Sequence, residues 1–99
     1  LPPDTTKPGV KIKGLPKQCA EGGFRFRVEV TDAGGVGAIT VKLGKALLRS
    51  VNAKGLPART LKVRVPEGKL SHSGRYRIKV IARDTAGNVK RQGAGFRAC

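Results

Sequence analysis

One histidine is present in the 99 residues, His72, within Ser71-His72-Ser73. Nucleophilic catalysis needs a nucleophile, a base in reach and a third group that orients the base. Adjacent Ser and His on a polar corner project in different directions, and no carboxylate is an obvious orienter. The triplet therefore reads as a solvated turn, and no catalytic residue is assigned. The acidic residues Asp4, Glu21, Glu29, Asp32, Glu67 and Asp84 are scattered singly, so spacing offers no acid–base pair. Asp32 and Asp84 each end an alternating run and open a Gly-containing turn, a position from which a carboxylate could ligate calcium. Against that stands a formal net charge of +15, which repels a divalent cation. Asx-type capping is the expected role, with Asp84, Gly87 and Asn88 as structural residues of the turn DTAGN. Glu21-Gly22-Gly23 and Ala33-Gly34-Gly35 precede strand-like runs and lack the Lys and Ser/Thr of a phosphate loop, so both read as ordinary turns. No metal ligand and no cofactor is assigned.

The two cysteines, Cys19 and Cys99, have no metal-ligand spacing and sit in a small chain with few aromatics and no Trp. One structural disulfide between them is the expectation, which places the domain in an oxidising, extracellular or cell-surface setting. An intermolecular bridge through the terminal Cys99 is the competing reading. The charge itself favours anionic partners: nucleic acid, acidic polysaccharide, teichoic acid or an anionic membrane surface. Equally, Lys and Arg could do no more than solvate the outer faces of sheets.

These side chains must be positioned by strands. Residues 1–8 carry three of the six prolines and read as an extended linker, with one domain over 9–99. The absence of Met and the opening on Leu1 suggest a fragment of a longer exported protein. No apolar run approaches the roughly 18 residues that would cross a bilayer. Beyond the linker, apolar and polar residues alternate with period two in seven short runs: 10–13, 24–32, 38–43, 46–51, 60–65, 75–84 and 89–97. Phe24, Phe26, Val28 and Val30 share the inward phase, as do Tyr76, Ile78, Val80 and Ala82. Gly44-Lys45 reads as a hairpin turn, and Gly93 and Gly95 suggest a bulge in the last run. Without room for crossover helices, the pairing must be mainly antiparallel, which predicts an all-β, seven-stranded sandwich.

In Gly74-Arg75-Tyr76-Arg77-Ile78, a Tyr follows a Gly-containing corner and stands two residues before an inward apolar residue. This resembles the tyrosine corner of immunoglobulin-like domains, in which the Tyr hydroxyl bonds the backbone of the preceding turn. The DTTKPGVKI entry, the FRFRVEVTDAGGV strand and turn, and the YRIKVIARDTAGN strand and turn extend the resemblance to bacterial Ig-like modules of secreted and cell-surface proteins. It covers nearly the whole chain. The chain departs from antibody domains in lacking their core Trp and their sheet-to-sheet cysteine pair. The resemblance implies a spacer, adhesin or ancillary binding unit attached to other domains, and no catalysis.

In such a sandwich the second and fifth strands are neighbours, so Arg25, Arg27, Lys62 and Arg64 should share an outer face, with Lys11 and Lys13 at its edge. Arg75, Arg77, Lys79 and Lys42 should form a second basic face. The expected function is a non-catalytic extracellular module that binds an anionic polysaccharide or cell-wall polymer. A nucleic-acid-binding module is the alternative, less favoured because Phe24, Phe26 and Tyr76 lie in the apolar phase instead of interleaving with exposed cations. A spacer with no ligand is the third reading.

Overall fold

The computed structural model describes residues 7–70 and 73–99; Leu1 to Thr6 of the expected linker, and His72 with Ser71, lie outside them. Five strands account for nearly everything else: β1 (Gly9–Lys13), β2 (Phe24–Leu43), β3 (Ala46–Val65), β4 (Gly74–Asp84) and β5 (Val89–Ala98). A single 3-10 turn, Glu67–Lys69, follows Pro66, and among the described residues no helix is long and apolar enough to cross a membrane. The strands form one antiparallel, curled sheet in the order β1-β2-β4-β5, with β3 also paired to β2. The fold is therefore all-β and antiparallel, as the alternation requires.

All seven expected runs lie in strand, but the second is continuous with the third, and the fourth with the fifth, giving two strands of 20 residues each. The reason is local. The register of β2 against β3 passes from Thr31↔Ala58 to Val36↔Leu56 and then to Ala38↔Asn52, so extra residues fall first on one strand and then on the other. Paired bulges bend both strands together without breaking the ladder. Gly35 (φ 108°) sits at the crossing, where a Cβ would come within 2.6 Å of the Gly55 carbonyl oxygen, and Lys54 and Gly55 also have positive φ. Only a residue without a side chain permits that approach at Gly35.

The bend gives each half of β2 its own neighbours. Residues 24–31 pair with β1 and with 58–65 of β3. Residues 36–43 pair with 46–56 of β3 and with β4, which in turn pairs with β5. Both halves nevertheless bury their apolar phase in one cluster: Phe26, Val28, Val30, Leu61 and Val63 from one side, Ile39, Val41, Ile78, Val80 and Ala82 from the other. Arg49 donates from Nη1 to the Lys62 carbonyl at 2.6 Å, linking the two halves of β3. The hairpin between β2 and β3 turns on Gly44 (φ 58°) and Lys45, as the sequence indicates.

Two further ties fix the ends. Cys19 and Cys99 form a disulfide with Cα atoms 4.9 Å apart. Beside it, Ala20 donates to the Arg97 carbonyl and Cys99 donates to the Ala20 carbonyl, an isolated parallel bridge along the end of β5. At the other tie, the turn 84–88 holds the β2 bulge: Thr85 donates from its backbone to Gly35 and from Oγ1 to Gly34. Asp32 Oδ1 accepts from the Gly34 amide at 2.8 Å, while its buried Oδ2 has no hydrogen-bond partner.

Asp84, almost fully buried, accepts from the Asn88 amide at 2.7 Å and from Asn88 Nδ2 at 2.9 Å. Burial opposes ionisation of Asp84. That effect is outweighed by the bonds from the Asn88 side chain and backbone and from the Ala86 backbone, so the carboxyl is held below its ordinary value of 3.8. Gly87 takes the positive φ (92°) that the turn demands, while Asn88 has an ordinary negative φ. Asp32 thus makes the expected Asx-turn bond to the amide two residues on, whereas Asp84 closes a wider turn by accepting from Asn88, four residues on.

The disulfide closes a loop with a sequence separation of 80. Replacing both cysteines by Ser is expected to lower the unfolding free energy in a urea titration by about 4–5 kcal/mol, from the chain-entropy dependence on loop length. A loss below about 1 kcal/mol would mean that the Ala20 bonds hold that end by themselves. Because the folded pKa of Asp84 is depressed, its contribution is full above the ordinary carboxylate value and is lost as pH falls through the folded one. The variant Asp84→Asn should melt lower than wild type at pH 7 and show a shallower further decline below about pH 4; parallel pH profiles would remove Asp84 from the acid sensitivity.

Candidate anion-binding faces

Alternation along a strand sends every second side chain away from the core, and here those positions are mostly Lys or Arg. On the face formed by β1, the first half of β2 and the second half of β3, Arg25 is directly opposite Arg64 and Arg27 opposite Lys62. Lys13 lies opposite Arg27 on its other side, and Lys11 opposite Glu29. All four residues expected to bind, Arg25, Arg27, Lys62 and Arg64, are exposed and adjacent. Acidic groups temper this face. Lys13 Nζ pairs with Glu29 Oε2 at 3.3 Å, the one ion pair among the described residues, and Glu67 lines the ≈340 Å³ hollow between Arg25 and Arg64. A second hollow beside Arg27 and Lys62 holds only ≈150 Å³.

The face formed by the second half of β2 with β4 and β5 differs in shape. Lys42 is opposite Lys79, and Arg75 opposite Arg97. The β4–β5 register runs unbroken from Gly74↔Ala98 to Arg83↔Val89, so the bulge expected at Gly93 and Gly95 does not form. Both glycines instead keep the regular phase. They place two positions without side chains on the outer face, opposite Lys79 and Arg77. The result is a cleft of ≈540 Å³ lined by Lys42, Lys45, Arg77, Lys79 and Arg91 around Gly93. A cleft of ≈840 Å³ adjoins it, lined by Lys17, Arg75, Arg97, Tyr76 and Phe96, and Arg77 borders both. Among the described residues no acidic side chain lines either one.

Arg91, Arg97 and Lys45 were not among the residues singled out from the sequence. The signal was present: counted with period two from Val89, the outward phase of the last strand reads Val, Arg, Gly, Gly, Arg. Treating the glycines as a bulge breaks that phase and hides the pattern. The same unbroken phase settles Phe96, which is buried, edge-on to Phe24 at 4.9 Å and stacked on Tyr76 at 5.6 Å. Tyr76 is half-buried and Ile78 fully buried. Part of the turn that the Tyr76 hydroxyl would bond lies outside the described residues. Among the described residues no group of three His, Cys, Asp or Glu side chains is placed to hold a metal ion.

Like charges directly opposite across a ladder destabilise it by a few tenths of a kcal/mol to about 1 kcal/mol. Added salt screens that repulsion over a Debye length of about 10 Å at 0.1 M. The melting temperature is therefore expected to rise between 10 mM and 0.5 M sodium chloride at neutral pH, by about 4 °C or more for each kcal/mol relieved. A flat or falling melting temperature would show that the opposed cations cost the fold nothing.

No family model matches the sequence, and no curated protein matches it. Among solved structures, the crystal structure of the Clostridium perfringens spore cortex lytic enzyme SleM is similar over 87% of this chain, with a TM-score of 0.50 and 13% identity. The matching part is 27% of that enzyme's chain, so this protein spans about a quarter of its length. At that identity the likeness is one of fold alone.

Proposed function

We propose that this chain is a non-catalytic immunoglobulin-like module of an exported bacterial protein, attached to other domains, which holds an anionic glycan or cell-wall polymer through one of its two basic outer faces. The observation that carries the reading is the set of directly opposed cations: Arg25 with Arg64, Arg27 with Lys62, Lys42 with Lys79 and Arg75 with Arg97. Solubility needs charge, but it does not need like charges stacked across every ladder. A polyanion laid on such a ladder neutralises the repulsion and releases its own counterions.

Two features support the immunoglobulin-like part of the reading. Divided at the bulges, the chain yields seven strand segments, with 9–13, 24–31 and 58–65 as one layer and 46–56, 36–43, β4 and β5 as the other. One apolar cluster shared by the two groups is what a two-layer sandwich would contain. The Cys19–Cys99 disulfide suits an extracellular setting.

The oxidised domain, passed at physiological salt over immobilised wall glycan, teichoic acid, heparin and duplex DNA, is expected to be retained by at least one glycan or wall polymer more strongly than by DNA. Retention by DNA alone would make it a nucleic-acid module. Retention by none would make it a spacer whose charge only solvates.

A further inference from the structure

We propose that the binding site for such a polymer is the glycine-floored groove on the β4–β5 face, and that its occupant is a slim chain carrying anionic groups on its own backbone, a glycan or polyol chain bearing phosphate, sulfate or carboxylate. This rests on the binding function proposed above and selects one face and one ligand chemistry for it.

Shape decides between the faces. The net charge is spread over both, and on each face one arginine borders two hollows, Arg77 here and Arg25 opposite, but the hollows here measure ≈540 and ≈840 Å³, against ≈340 and ≈150 Å³ on the opposite face. The larger of those opposite hollows also contains Glu67. Gly93 makes the groove. The Cβ it lacks would lie 2.5–2.9 Å from the Arg77 guanidinium, so that guanidinium occupies the space a side chain would fill. Arg77 thus lies along the groove floor instead of standing off the sheet. Arg75, Arg77 and Lys79 repeat every second residue, about 6.6–6.8 Å apart along the strand. A row at that interval offers successive contacts to a chain running parallel to β4, with guanidinium groups able to take an oxyanion in two parallel hydrogen bonds.

The outward positions also select the ligand. Single-stranded nucleic acid is gripped by exposed aromatic platforms on which bases stack. Tyr76 and Phe96 border the ≈840 Å³ hollow but belong to the inward phase, stacked on each other with Phe96 buried, and the outward positions on β4 and β5 are Arg, Lys, Gly, Ile and Val. A chain without bases forgoes nothing on such a surface.

The test separates groove geometry from total charge. Affinity for a heparin oligosaccharide, for poly(glycerol phosphate) and for a single-stranded oligonucleotide of equal charge is measured by calorimetry in 0.15 M salt. The proteins are wild type, Arg77→Gln with Arg91→Gln, Arg25→Gln with Arg64→Gln, and Gly93→Val. The first pair should weaken binding of the better glycan or polyol probe about tenfold and reduce the slope of log affinity against log salt by about 1.4, as loss of two ionic contacts requires. The second pair removes the same charge and should change affinity less than about twofold. Gly93→Val removes no charge; it displaces a flexible guanidinium, so it should fold as wild type yet bind several-fold more weakly. Amide shifts on titration, which need no variant, should cluster at residues 91–95.

Equal losses from both Arg pairs, or an unaffected Gly93→Val, would overturn the groove and leave the polymer-binding function intact. Loss confined to the Arg25 and Arg64 variant would move the site to the other face. Tighter binding of the oligonucleotide would overturn the ligand class, and no binding by wild type would end both proposals.

Discussion

A strand that packs on a single core can bury only one of its two faces, and this constraint places the cations of this protein. Val28, Val30, Ile39, Val41, Val63, Ile78 and Val80 are essentially without exposure. The residues between them in the chain are largely Lys and Arg. With six acidic residues in the whole sequence and two of them, Asp32 and Asp84, buried in a latch, the outer faces cannot neutralise themselves. The positive surface is thus the complement of the core, and antiparallel register sets like charges against one another at Arg25 and Arg64, Arg27 and Lys62, Lys42 and Lys79, and Arg75 and Arg97.

A core of this kind is modest. Aromatic residues make up 4% of the chain, and the three phenylalanines gather at one end with Tyr76, leaving Val, Ile and Leu to fill the rest. Covalent closure compensates at that aromatic end, where the disulfide and the Ala20 bridge tie the segment before β2 to the end of β5. At the bend, polar groups do the corresponding work. Asp84 with Asn88 closes the β4–β5 turn, Thr85 binds the β2 bulge, and Gly35 lets β2 and β3 cross at close range. A carboxylate there serves geometry, which is why the acids best placed in the sequence to suggest a metal site are occupied by amide donors.

Glycine has two distinct uses in the molecule. At Gly35 and Gly87 it supplies backbone conformations that other residues adopt at a cost. At Gly93, where no left-handed backbone is involved, it supplies room, and the side chain of Arg77 fills that room. The groove on the β4–β5 face is a consequence of the second use.

Period-two alternation and turn chemistry determined the strand class, and with it the antiparallel pairing and the inward phase of the runs 24–32, 38–43, 60–65 and 75–84. These are local properties, written in the order of neighbouring residues. The turn at Asp84, Gly87 and Asn88 was legible for the same reason, since its closing bonds reach only from Asp84 to Asn88. The adjacency of Arg25 with Arg64 and of Arg27 with Lys62 was legible only once a topology was assumed. What the chain order alone could not decide was the continuity of β2 and β3 through their bulges, because a register shift depends on two strands far apart in sequence. Nor could it decide the groove: whether Gly93 breaks its strand or floors a cleft depends on the unbroken ladder with β4 and on the side chain of Arg77 lying across it. Tertiary structure made that choice, because the space beside a glycine belongs to whichever neighbour the fold brings there.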